Sequence, residues 1–242
     1  MKTENLEWQD VAERFVLYLD IGGFKDRVRF EKTSELRKSL LDFRNKNNQL
    51  KPLLDGGKTG TRVLMKMAQF SDSIVVVSAG YESDDLNRIT KAAVILIRTA
   101  LETKFAIRGV IACGEMVFDE ENQLFFGKPL VDAYLLEQQM CHYGIIFHHT
   151  AEEKVKEYLS NKSKIYFPIN DCETKLKGGN AKHYQVLWHK MNQELAEDKT
   201  DKVSKDAIKW LENLRTTVSG YPRTYLDNTR DFIEKILKRH CK

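Results

Sequence analysis

The chain has 242 residues, of which 42% are hydrophobic and 31% are charged, a composition typical of soluble globular proteins. The net charge is +4, from 39 basic and 35 acidic residues. This excess is too small to indicate non-specific nucleic-acid binding, although it suits a polyphosphate ligand. The longest nearly apolar run, residues 92–97, is far too short to span a bilayer, so we expect neither a nucleic-acid partner nor a membrane.

The four cysteines (Cys113, Cys141, Cys172 and Cys241) are scattered along the chain without a Cys-x-x-Cys pair. This spacing argues against both a zinc knuckle and a disulfide framework. The first five residues lack the apolar segment of a secretory signal. We therefore expect reduced thiols and a cytoplasmic protein.

Hydrophobic periodicity and turn residues predict alternating strands and helices. Strands are predicted at residues 14–21, 63–70, 74–79, 106–114, 115–118, 123–126, 144–149, 164–168 and 183–188. Helices are predicted at residues 25–44, 86–105, 127–140, 151–159, 205–218 and 224–238. The β-α-β-β-α-β order predicts an α+β fold with a ferredoxin-like βαββαβ core. We expect residues 1–190 to form the catalytic domain, and residues 191–242, where the composition turns polar, to form a C-terminal helical appendage.

Two short acidic stretches lie beside predicted strands. The first is Leu19-Asp20-Ile21-Gly22-Gly23-Phe24, at the end of a nearly continuous apolar run that indicates a strand buried on both faces. A buried carboxylate is costly unless it is paired or bound to a metal, and the two glycines allow a close backbone approach to a ligand or a positive φ. The second is Phe70-Ser71-Asp72-Ser73, the polar tip of a predicted hairpin.

In a split βαβ core the first strand and this hairpin are neighbours, so Asp20 and Asp72 are expected to face each other. Hard oxygen ligands without nearby Cys or His favour Mg²⁺ or Mn²⁺ over zinc. Two converging aspartates can hold the metal pair of a nucleotidyl-transfer site. The alternative is that each aspartate is simply a turn or cap residue.

The same two stretches are followed by Ile107-Arg108-Gly109-Val110-Ile111-Ala112-Cys113-Gly114 and then by Gly127 with residues 130–137. This ordered set resembles class III nucleotidyl cyclases over residues 13–190, and is similar to the bacterial pyrimidine cyclases of Pycsar antiphage systems. The resemblance implies that a homodimer with sites at its interface converts UTP or CTP to a 3′,5′-cyclic nucleotide and pyrophosphate. It also implies that Asp20, Asp72 and the Ile21 carbonyl bind two Mg²⁺ or Mn²⁺ ions, and that a separate effector protein reads the product.

The sequence departs from the purine cyclases of this class at the positions that read the base. Val131 and Leu135 stand where those enzymes carry an Asn and an Arg, and their adenine-reading Lys and Asp fall near Ala68 and Leu124. None of these side chains can hydrogen-bond a purine edge. The departures favour a pyrimidine substrate or an inactive relative, and the intact aspartate pair argues against inactivity.

Five residues are expected to contact the nucleotide: Phe24, Ser71, Arg108, Tyr134 and Lys182. Arg108 is suited to a phosphate or base contact, or to a structural ion pair. Tyr134 is suited to stacking on a base, or to core packing. Lys177 and Lys182 flank Gly178-Gly179 and are suited to binding the triphosphate, or to a solvated loop.

The expected reaction is cyclisation of UTP, with CTP as the alternative substrate. Two rival functions remain open on the same kind of fold: a non-catalytic nucleotide sensor and a cyclic-dinucleotide synthase. The second rival is disfavoured because the hairpin tip is Ser71-Asp72-Ser73 rather than a Gly-Gly-acidic turn.

Overall fold

The computed structural model describes residues 8–50, 63–160, 169–188 and 197–240. Within these ranges the chain forms an eight-stranded sheet and seven α-helices. The strands are β1 (Val11–Gly22), β2 (Met65–Phe70), β3 (Ser73–Ser78), β4 (Ala106–Asp119), β5 (Leu124–Gly127), β6 (Ile145–Phe147), β7 (Ile169–Leu176) and β8 (Gly179–Val186). The helices are α1 (Phe24–Phe30), α2 (Thr33–Lys46), α3 (Ser83–Glu102), α4 (Lys128–Glu137), α5 (His149–Ser160), α6 (Glu197–Arg215) and α7 (Tyr221–His240).

The sheet has the order β2-β3-β1-β4-β6-β8-β7, and β5 pairs with β4 outside this order. Strands β3 and β4 both run antiparallel to β1, and β2 runs antiparallel to β3. The order β4-β1-β3-β2 therefore contains two interleaved split βαβ units, the ferredoxin-like arrangement. The predicted α+β fold class and βαββαβ core are confirmed. The three-residue strand β6 joins β4 in parallel and leads to the β7–β8 pair.

Strand β1 is the centre of the core. Phe15, Leu17 and Leu19 are fully buried in the main hydrophobic cluster, whereas Val16 and Tyr18 belong to smaller clusters. Because side chains alternate along a strand, these two sets lie on opposite faces of the sheet. Burial on both faces explains why the strand is a nearly continuous apolar run in the sequence.

Helix α3 packs on the main-core face and buries eleven of its residues. Its N-terminus is closed by a capping box between Glu82 and Asp85. Helix α7 contributes Leu226, Ile233 and Ile236 to the same buried cluster. The C-terminal helices thus pack into the main core. No helix in the described ranges is long and apolar enough to cross a membrane.

Some predicted elements differ from the structure. The predicted helix 25–44 is two helices, because Glu31 and Lys32 have extended backbone conformations. The two predicted strands at residues 106–118 are one strand, β4. The predicted strand 164–168 lies outside the described residues, while β7 was not predicted because charged residues interrupt its apolar pattern.

Gly109 of β4 provides a test of the central pairing. It lies directly opposite Leu19, and an added Cβ would collide with the Tyr18 carbonyl and the Leu19 side chain. We predict that Gly109→Ala lowers the free energy of unfolding by about 1–3 kcal/mol, measured by urea denaturation. Gly178→Ala is the matched control, because an added Cβ there meets no atom within 4 Å. Equal losses in the two variants would contradict the prediction.

Candidate functional site

The two aspartates come together where the β2–β3 hairpin meets the end of β1. Asp20 lies opposite Ser73 of β3 and opposite Arg108 of β4. Asp72 occupies the hairpin turn, and its main-chain carbonyl accepts a hydrogen bond of 3.0 Å from the Ile21 N–H. This bond fixes the turn to β1. The two carboxyl groups are close enough that the charge of Asp72 acts on the pKa of Asp20.

Arg108 is the cation of the site. Its Nη2 donates a hydrogen bond of 3.4 Å to Oδ2 of Asp20, and its Nε donates to Oε1 of Glu137. The ring centroid of Tyr225 lies 5.1 Å from its guanidinium carbon. Arg108 therefore forms the ion pair that the sequence left open as an alternative, and it does so against one of the two candidate metal ligands.

Glu137 was not among the predicted site residues. It is the last residue of α4 and only 2% exposed. Burial raises the pKa of Glu137 to about 7, Arg108 opposes this shift, and the negative charge of Asp20 adds to it. The sequence signal for Glu137 was a carboxylate at the end of a mostly apolar helix. Its partner Arg108 lies on β4, and the spacing of the two residues along the chain does not reveal that they pair.

The site carries an excess of negative charge. Burial raises the pKa of Asp20; Arg108 opposes this rise, and the charge of Asp72 adds to it. Burial also raises the pKa of Tyr18 to about 12; its hydrogen bond with Ser73 opposes the shift, while Glu137, Asp20 and Asp72 add to it. All three carboxylates thus act on the neighbourhood of Tyr18, where Arg108 pairs with two of them, Asp20 and Glu137. Such a field favours the binding of a cation.

Asp20 and Asp72 fit a metal that is shared with a substrate. Within the described ranges, no three His, Cys, Asp or Glu side chains are grouped to hold a metal ion. Mg²⁺ commonly takes only one or two protein carboxylates and completes its coordination with water and substrate phosphates. Two aspartates without Cys or His are therefore a suitable donor set for Mg²⁺ or Mn²⁺ in the presence of a nucleoside triphosphate.

The other residues predicted to contact the nucleotide differ in how close they lie to the two aspartates. Tyr134 packs edge-on against Tyr18, with ring centroids 5.6 Å apart, and is still 42% exposed. Ser71 lies in the same turn as Asp72, with a positive φ of 56°. The ring of Phe24 is buried in the main core. Lys182 is exposed on β8, two strands from β4, outside the Asp20 cluster.

Lys177 lies closer to the site than Lys182 does. Its N–H donates a hydrogen bond of 2.8 Å to the carbonyl of Gln139, just beyond α4. Its charge is also one of those that act on the Glu137 carboxyl. Of the two lysines that flank Gly178-Gly179, the structure brings Lys177 towards the cluster.

No family model matches the sequence, and no curated protein matches it. Among solved structures, the fold is similar to the catalytic core of a rhodopsin-guanylyl cyclase with converted specificity in complex with ATPαS, with a TM-score of 0.49 and 16% identity over 74% of this chain and 98% of that chain. It is also similar to a class III adenylyl cyclase-like ATP-binding protein from Pseudomonas aeruginosa, with a TM-score of 0.41 and 18% identity over 60% of this chain and 35% of that chain. Both similarities concern the fold.

The raised pKa of Glu137 gives stability a defined pH dependence. Folding raises this pKa from 4.5 to about 7, so between these values the folded state binds more protons than the unfolded state. The contribution of Glu137 to stability therefore falls as the pH rises through this window. We predict that between about pH 5 and about pH 8 the wild type loses on the order of 2 kcal/mol more free energy of unfolding than Glu137→Gln does.

Urea denaturation at a series of pH values measures this difference. Asp171→Asn is the control, because Asp171 is an exposed carboxylate on β7, and it should keep the wild-type slope. Parallel curves for the wild type and Glu137→Gln would contradict the assigned pKa.

Proposed function

We propose that the chain is a metal-dependent pyrimidine nucleotide cyclase that converts UTP to 3′,5′-cyclic UMP and pyrophosphate. The observation that carries this proposal is the meeting of Asp20 on β1 with Asp72 in the β2–β3 turn, in a site with excess negative charge. The resemblance of the ordered motifs to class III nucleotidyl cyclases supports the same reaction. CTP is the alternative substrate.

In this reaction the ribose 3′-oxygen forms a bond to the α-phosphorus. The bond from the α-phosphorus to the bridging oxygen of the β-phosphate breaks, pyrophosphate leaves with that electron pair, and the hydroxyl proton passes to solvent water. Asp20, Asp72 and the Ile21 carbonyl would hold two Mg²⁺ or Mn²⁺ ions. When bound, such ions neutralise the triphosphate charge and lower the pKa of the attacking hydroxyl.

The chain's own side chains position the nucleotide, which is the main protein contribution to phosphoryl-transfer chemistry. Arg108 has five N–H donors, and Glu137 and Asp20 engage its Nε and Nη2, so donors remain for a phosphate oxygen beside Asp20. Tyr134, half-exposed against Tyr18, offers a ring face or edge to the base. Ser71 lies in the same turn as Asp72 and contributes to the nucleotide-binding rim.

The preference for a pyrimidine rests on the apolar positions where a purine cyclase has polar ones. Val131 and Leu135 are exposed on α4, Leu124 is exposed at the start of β5, and Ala68 is half-buried in β2. None of them offers a hydrogen bond to a purine edge. A smaller base, read by other groups, is consistent with this set.

The proposed active assembly is a homodimer with its sites at the interface. Four large apolar side chains stand exposed around the sheet face that carries Asp20: Phe70, Val131, Tyr134 and Leu135. Burial of such side chains against a second copy removes apolar surface from water. In a cytoplasmic antiphage role, the cyclic nucleotide would then be read by a separate effector protein.

The reaction is tested by incubating the purified protein with each of the four nucleoside triphosphates and Mn²⁺. We predict cyclic UMP as the main product, identified by chromatography with mass detection. Asp20→Asn and Asp72→Asn should each lower the rate by at least about 100-fold, because each removes one charged ligand of the ions that neutralise the reacting phosphates.

Asp171→Asn is the matched control and should keep the wild-type rate. Nucleotide that binds and raises the melting temperature without being consumed would instead establish the sensor function. A product of dinucleotide mass would establish the synthase function. Cyclic CMP as the main product would show that the substrate is CTP rather than UTP, and the protein would still be a pyrimidine nucleotide cyclase.

The assembly is tested at α4. We predict that Leu135→Glu raises the dimer dissociation constant by at least about 10-fold, because it places a charge within an apolar interface. Sedimentation velocity over a range of protein concentrations measures this constant. Leu41→Glu on α2, where Leu41 is 39% exposed, is the control and should leave association unchanged. A wild-type protein that stays monomeric at micromolar concentration would refute the homodimer.

A further inference from the structure

Helix α7 is fastened to the segment that follows α4. The Asn228 side chain donates a hydrogen bond of 2.8 Å to the carbonyl of Cys141, and the N–H of Tyr143 donates one of 2.8 Å to Oγ1 of Thr229. Thr229 is only 1% exposed, and its hydroxyl donates in turn to the Tyr225 carbonyl at 2.6 Å. The two bonds between α7 and the segment are partly buried and fix the position of α7 against it.

This attachment places the Tyr225 ring beside the ion pairs that Arg108 forms with Glu137 and Asp20. Tyr225 is 7% exposed, its centroid lies 5.1 Å from the guanidinium carbon of Arg108, and it packs against the Tyr143 ring at 5.7 Å. Burial by itself would lower the pKa of Arg108, but Glu137, Tyr225 and Asp20 together raise it. The charged form of Arg108 is thus supported from α4, from β1 and from α7 at once.

The same layer of rings reaches the strand that carries Asp20. A Cβ added to Gly22 would lie 2.8 Å from Cε1 of Tyr143, so the ring occupies the space that a side chain at position 22 would need. Gly22 is two residues beyond Asp20. Two adjacent rings therefore connect helix α7 to the site. Tyr225, on α7 itself, contacts Arg108, and Tyr143, in the segment after α4, contacts the end of β1.

We propose that Tyr225 is a positioning residue of the active site, which holds the Arg108 guanidinium between Glu137 and Asp20. This inference rests on the proposed function of the Asp20–Arg108 site and adds to it a residue from the C-terminal helices. Arginine has a long side chain with high rotamer entropy, and a planar ring over its guanidinium restricts it to one orientation. Without the ring, Arg108 reaches the same two carboxylates from several orientations and presents its remaining donors less consistently.

Two variants at position 225 and one control separate positioning from simple packing. Tyr225→Phe keeps the ring but removes the hydroxyl, which also acts on Arg108 through a hydrogen bond, whereas Tyr225→Leu keeps an apolar side chain without either the ring or the hydroxyl. Leu226→Ala is the matched control, because Leu226 is a 4%-exposed neighbour on the same helix that packs in the main core. It loses packing energy while leaving the Arg108 contact in place.

The first measurement needs no nucleotide and no turnover. The Nε–H signal of Arg108 in ¹H–¹⁵N spectra, identified by its loss in Arg108→Lys, reports whether the guanidinium is held. We expect a resolved signal in the wild type, Tyr225→Phe and Leu226→Ala, and a shifted or broadened one in Tyr225→Leu. An unchanged signal in Tyr225→Leu would overturn the positioning role whether or not the protein is a cyclase.

The second measurement uses whichever nucleoside triphosphate the protein consumes. We expect Tyr225→Leu to lower kcat/KM by roughly 3- to 30-fold, Tyr225→Phe to lower it by less because the ring stays, and Leu226→Ala to retain the wild-type value at temperatures well below unfolding. Equal losses in Tyr225→Leu and Leu226→Ala would overturn the proposal in favour of packing alone. If no triphosphate is consumed, the proposed function fails while the spectra still decide the role of Tyr225.

Discussion

The antiparallel pairing of β1 with β4 is the constraint on which the site depends. The register runs without a break from Val11 to Gly22 and sets Asp20 opposite Arg108. Because successive side chains of a strand point to opposite faces, a slip by one residue would turn Asp20 into the main core and bring Leu19 or Ile21 out. The apolar residues that fill the core therefore also hold the carboxylate on the open face. The strand register that packs the core is therefore also the register that places Asp20 in the site.

Arg108 joins the side chains that this register brings together through ion pairs. Removing one partner from a buried ion pair typically costs about 3–5 kcal/mol, because the other charge is left uncompensated. Here one guanidinium pairs with both Glu137 and Asp20. Loss of Arg108 would therefore leave two carboxylates without this partner. A cation bound at Asp20 would relieve the repulsion among the carboxylates and free part of the arginine for a phosphate.

The sequence was informative where local pattern and tertiary role coincide. The run around Leu17 predicted β1, and the turn residues around Asp72 predicted the hairpin, since periodicity and turn chemistry are local signals. Strand β7 was missed because its partners, not its own apolar content, make it a strand. Glu137 and Tyr225 were missed for a related reason: each acquires its role from Arg108, which is distant in sequence. Residues 191–242 were predicted as a C-terminal helical appendage because the composition turns polar there, and residues of α7 that pack into the core, such as Ile233, are spaced among charged ones.

The shortness of β6 divides the molecule into parts of unequal local stability. Strand β6 contacts β8 at a single registered pair, Ile146 with Gln185, whereas β1 and β4 are paired along the whole of β1. Opening the sheet between β6 and β8 breaks few ladder hydrogen bonds, so we expect amide protons there to exchange through local opening rather than global unfolding. The β7–β8 hairpin is nevertheless bonded to the segment after α4 through the Cys141 N–H and the Lys175 carbonyl. This bond connects the outer edge of the sheet to the segment that carries the Tyr143 ring, and that ring lies against the end of β1 at Gly22.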